Sequence, residues 1–76
     1  MDIIVKSPLM ADKIKELLDG KTIEGACFSF TDKKGMEMTF HVTGDNIEKT
    51  DAAGIAKNAI KATDYGKGIY FSVVKK

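Results

Sequence analysis

The only cysteine and the only histidine of the chain, Cys27 and His41, lie on either side of "DKKG" in the stretch "ACFSFTDKKGMEMTFHV". An imidazole beside a thiol favours the thiolate, the form that acts as a nucleophile or a redox sensor. Whether the two side chains meet depends on the arms that carry them. Ala26, Phe28 and Phe30 share one parity, as do Met36, Met38, Phe40 and Val42. Between them fall Cys27, Ser29 and Thr31 on one arm, and Glu37, Thr39, His41 and Thr43 on the other. This alternation predicts a β-hairpin with one face on the core. Lys33, Lys34 and Gly35 suit a three-residue loop with glycine in the left-handed position. That loop pairs Asp32 with Met36, Phe30 with Met38, Phe28 with Phe40, and Cys27 with His41. Directly opposed residues hold their Cβ atoms about 4.5–5.5 Å apart, close enough for sulfur and imidazole to hydrogen-bond.

Catalysis asks for more than such a pair. It needs a group to orient the histidine, an oxyanion site and a pocket. Only Thr39, Thr43 and Glu37 stand near enough in the pattern to orient an imidazole, and a bare sheet face offers no pocket. The pair also supplies two ligands where structural zinc takes four and catalytic zinc three. The reading leans away from an enzyme, assigns no catalytic residue, and expects no metal or cofactor.

Other motifs carry less chemistry. "KGIYFSVV", from Lys67 to Val74, echoes the RNA-recognition octamer in its opening lysine-glycine and its fifth-place aromatic. The echo falls on the last strand, where the octamer belongs on the third, and Ile69 and Phe71 are needed in the core, leaving Tyr70 alone to stack. "DYGKG", from Asp64 to Gly68, follows a helix instead of opening one, so it reads as a helix stop and a turn and not as a phosphate loop. Asp45, Glu48 and Asp51 match no calcium-loop spacing and are explained by helix capping.

The elements that position these residues follow from periodicity. "DIIVK" is a short strand with Ile3 and Val5 on one face and Ile4 on the other. Ser7-Pro8 has the signature of an N-cap followed by a first helical residue, and Leu9, Met10, Ile14, Leu17 and Leu18 recur at helical spacing up to Gly20. Ile23 has the wrong parity for the Ala26 face, which predicts a β-bulge near Glu24-Gly25. A second helix is expected from Thr50 or Asp51 to Gly66. Its buried face is Ala52, Ile55, Ala56, Ala59 and Ala62, with Ile60 at the margin. In the last strand Ile69, Phe71 and Val73 face the core, and Tyr70, Ser72 and Val74 face away.

The order strand, helix, strand, strand, helix, strand predicts one α+β domain over residues 1–76. Its architecture is a ferredoxin-like βαββαβ sandwich, with a four-stranded antiparallel sheet and both helices on one face. The other face then displays Ile4, Cys27, Glu37, Thr39, His41, Tyr70 and Val74, and these are the candidate surface or ligand-site residues.

Composition limits what that surface recognises. The chain has 76 residues, 43% hydrophobic and 30% charged, with a formal net charge of +1. All 12 basic residues are lysine. The planar fork with which arginine reads phosphate, carboxylate or guanine is therefore missing, while lysine point-charge contacts remain. The near-zero charge weighs against nucleic acid, and the short N-terminal apolar run is neither a signal sequence nor a membrane span. A single cysteine fits a reducing compartment, so the cytoplasm is expected. The first expectation for function is a non-catalytic binding or assembly module that self-associates through the open face or a sheet edge, as exposed apolar patches often do. A thiol-dependent or ligand-sensing protein built on Cys27 and His41 comes second, and a weak nucleic-acid binder using Tyr70 and the lysines third.

Overall fold

Phe28 and Phe40 are fully buried, so the dry side of the hairpin is the side its alternation predicts. A computed structural model describes residues 1–76 as five strands and three helices. In chain order these are β1 (Asp2–Lys6), α1 (Ala11–Leu18), β2 (Lys21–Ile23), β3 (Ala26–Lys34), β4 (Glu37–Thr43), α2 (Ala52–Lys61), α3 (Asp64–Gly68) and β5 (Ser72–Lys75). A single 3₁₀ turn at Ile47–Lys49 precedes α2. The fold is α+β. Its sheet is open and antiparallel throughout, in the order β2-β3-β4-β1-β5, so it has five strands where the pattern predicts four.

The extra strand comes from the stretch read as a bulge. Ile23 and Ala26 are paired across a two-residue turn in which Glu24 and Gly25 both have positive φ, 49° and 83°. Such a turn has the twist of the strands it joins, and glycine takes its second position without Cβ strain. The chain therefore reverses at Glu24-Gly25, which puts Ile23 beside Ala26 on one face and accounts for their parity.

The bulge lies elsewhere. The turn between β3 and β4 is Gly35–Met36, because Lys34 pairs with Glu37, and the register shifts between Phe30 and Asp32. Thr31 is thus left unpaired. Beyond it Phe30 faces Phe40, Phe28 faces Val42 and Cys27 faces Thr43, two residues away from the expected register. A slip of two keeps every side chain on its face, whereas a slip of one would invert them all. The Phe30 and Phe40 rings meet edge to face with centroids 5.7 Å apart, a favoured aromatic geometry.

Both long helices cover the same side. Ile14 and Leu18 of α1, and Ala52, Ala56 and Ile60 of α2, join Ile3, Val5, Ala26, Phe28, Met38, Phe40 and Val42 in one buried cluster. Ile60 is at the centre of this contact and not at its margin, while Ala62 lies beyond the helix and is exposed. The start of α1 also differs from its signature. The Ser7 amide donates to the Met36 carbonyl at 3.0 Å, continuing the β1–β4 ladder by one residue. With Ser7 held by the sheet, Pro8 lies in a bend and the helix begins only at Ala11, which leaves Leu9 61% exposed. α2 starts as expected, with the Asp51 carboxylate accepting from the Gly54 amide at 3.0 Å.

Candidate functional site

The face of the sheet opposite the helices is built from alternate positions on all five strands, with β2 supplying Thr22. β1 contributes Asp2, Ile4 and Lys6; β3, Cys27 and Ser29; β4, Glu37, Thr39, His41 and Thr43; and β5, Ser72 and Val74. Cys27 is half-buried and lies opposite Thr43 on one side and Thr22 on the other. His41 lies opposite Ser29 and Asp2. The thiol and imidazole share the face but are diagonal neighbours, about 7–8 Å apart by the usual sheet spacing, so the predicted cross-strand pair is not formed.

The partner of His41 is Asp2, with Nδ1 and Oδ1 2.8 Å apart. An ionised carboxylate only accepts, so the ring nitrogen carries the proton and donates. This hydrogen bond, reinforced by the charges of the imidazole, the N-terminus and Lys76, holds the Asp2 carboxyl below its ordinary range. Parity places Asp2 on the open face beside Ile4, but the β1–β4 register that brings it to His41 spans 39 residues and leaves no local trace.

The remaining predicted residues divide into two groups. Glu37 forms an exposed ion pair with Lys6 at 3.3 Å. Thr39 is opposite Ile4, which in turn is opposite Val74, and Ile4, Asp32, Lys34, Glu37, Thr39 and Lys76 line a shallow depression of about 200 Å³. Tyr70 is not with them. It precedes β5 and is 89% exposed, so of Ile4, Tyr70 and Val74, all expected on the open face, only Ile4 and Val74 lie side by side there.

Two features come from pairings the sequence hides. The first is the edge strand β5, which pairs only with β1. The Lys76 amide donates to the Asp2 carbonyl at 2.9 Å. Antiparallel ladders alternate, so Ser72, Val74 and Lys76 direct their backbone groups at β1 while Val73 and Lys75 direct theirs outward. The second is a groove of about 680 Å³ lined by Lys57 and Lys61 of α2, Gly66 and Lys67 of α3, and the segment Ile69, Tyr70, Phe71 and Ser72. The "DYGKG" stretch that forms one wall is a short helix of its own. The Thr63 hydroxyl oxygen caps it, accepting from the Gly66 amide at 2.9 Å. Gly66 is buried against the Ile60 carbonyl, where any Cβ would collide. The signal for this groove was the i, i+4 spacing of Lys57 and Lys61, but Lys67 and Tyr70 reach it only through the tertiary fold.

No group of three or more His, Cys, Asp or Glu side chains is placed to hold a metal ion, and no helix is long and apolar enough to cross a membrane. No family model, curated protein or solved structure matches the chain.

Proposed function

We propose that the chain is a small, non-catalytic assembly module of the cytoplasm, which self-associates by antiparallel pairing of β5 with β5 of a second copy. In this reading β1, β3, β4 and β5 with α1 and α2 form the ferredoxin-like βαββαβ unit, and β2 is an added edge strand. The observation that carries it is the outward set of backbone groups on Val73 and Lys75. A two-fold axis through Val73 sets Val73 against its own copy, Ser72 against Val74, and Phe71 against Lys75, all with matching faces. Every outward amide and carbonyl from Phe71 to Lys75 then finds a partner. The terminal lysines, which would repel in a parallel arrangement, instead lie opposite Phe71 and Tyr70, where a cation is attracted to an aromatic face. Val74 is 47% exposed and extends the contact along the open face toward Ile4.

Lys75→Pro tests this directly. Proline removes the outward N–H of residue 75 and leaves the ladder to β1 intact, because that amide does not face β1. Sedimentation analysis from low micromolar to millimolar concentration is expected to show a monomer–dimer equilibrium for the natural chain. The variant should be a folded monomer throughout. A natural chain that stays monomeric at the highest concentration refutes the proposal.

A further inference from the structure

We infer that the groove between α2, α3 and the approach to β5 binds a small phosphorylated ligand carrying a planar ring, of which a mononucleotide is the simplest member. Three lysines, Lys57, Lys61 and Lys67, line it with no acid among the lining residues. None of the three belongs to an ion pair, the two in the molecule being Lys6–Glu37 and His41–Asp2. Unpaired like charges around a concavity focus a positive potential inside it. Lys57 and Lys61 stand at i and i+4 on one helix face, a spacing at which like charges repel, and an anion between them relieves the repulsion. Ammonium groups on flexible stems suit a phosphate approached from several directions, the mode left open to a chain without arginine.

The rest of the groove is not built for a bare anion. Ile69 and Phe71 are half-buried apolar residues in its wall, and Tyr70 leaves most of its ring in water. An aromatic side chain that exposed contributes little to the fold and offers a face on which a planar ring stacks. The volume lies within the range of small-molecule sites, roughly 300–1,000 Å³. Lys57, Lys61 and Lys67 take no part in the β5 pairing, whereas Tyr70, Phe71 and Ser72 lie in both the groove and the paired strand, so the two readings are separated by experiment.

The test is a titration of the ¹⁵N-labelled chain, followed by amide chemical shifts, with adenosine monophosphate, adenosine, inorganic phosphate and a mixed-sequence oligonucleotide as separate arms. Adenosine monophosphate is expected to shift Lys57, Lys61 and residues 66–72 saturably, and adenosine and phosphate to act on the same amides more weakly. Tyr70→Ala should bring the nucleotide down to the level of phosphate. Lys57→Gln, Lys61→Gln and Lys67→Gln combined should weaken it by at least about tenfold. All four positions are exposed or lie on the surface, and the dispersion of the same spectra checks the fold of each variant. The inference is overturned by no saturable shift with the nucleotide, by equal affinity for phosphate and nucleotide, or by a response to the oligonucleotide alone. Repeating the titration on Lys75→Pro separates a failure of this site from a failure of the pairing.

Discussion

His41 does its observable work on Asp2, not on Cys27. The imidazole N–H holds the carboxyl of Asp2 in its ionised form and lowers its pKa from the ordinary 3.8. A carboxyl depressed in the native state contributes stability that is fully present above its unfolded value and is lost as pH falls through the native one. Asp2→Asn, which cannot ionise, is therefore expected to lower stability at neutral pH and to flatten the acid limb, so that the two chains converge as pH falls through the native pKa of Asp2. Urea midpoints of both chains across the acid range measure this, and parallel limbs would contradict it. The same pair shows how far the site could be read from the residues. That Cys27 and His41 share the open face follows from parity alone. That Asp2, and not Cys27, is the neighbour of His41 depends on a strand pairing between the two ends of the first half of the chain, and nothing local encodes it.

At the level of elements, the hairpin alternation identified the right face and missed the register. The two are separable because a shift by an even number of residues preserves the face, so the apolar pattern cannot distinguish Phe28 opposite Phe40 from Phe28 opposite Val42. Turn length decides between them, and "DKKG" was compatible with a loop one residue longer than the Gly35–Met36 turn that forms. Ser7-Pro8 misled for a different reason. A serine before a proline caps a helix only if its backbone is free to enter one, and here the amide is held by Met36. Where no tertiary bond competed, as at Asp51, the local signal located the helix start correctly. The Glu24-Gly25 turn yields a quantitative expectation. Glu24 sits at φ 49°, in a left-handed region that asparagine tolerates better than glutamate. Glu24→Asn should raise stability by roughly 0.5–1 kcal/mol, seen as a higher denaturant midpoint at unchanged slope.

For the molecule as a whole, 76 residues support one core of 12 buried apolar side chains, with Phe28 and Phe40 its largest members. A domain of this size draws only about 3–5 kcal/mol of net stability from such a core. Removing a buried phenylalanine costs about the same, 3–5 kcal/mol. Phe40→Ala is therefore expected to be unfolded in the absence of denaturant, which a collapse of amide dispersion would show; a well-dispersed spectrum would mean that the core is more redundant than its size implies. The α+β class and the placement of both helices on one side were legible because they rest on periodicity, but the fifth strand was not, because three residues are too few to show a period. That short strand makes the two rims of the sheet unlike. On the β2 side the rim is interrupted, since the Asp19 carboxylate takes up the Phe30 amide at 3.0 Å just before the bulge at Thr31. Only the β5 side presents an uninterrupted row of free backbone groups. Under the proposed β5 pairing, a particle with one adhesive rim is used up when it meets its like, so assembly would end at the pair instead of continuing along the sheet.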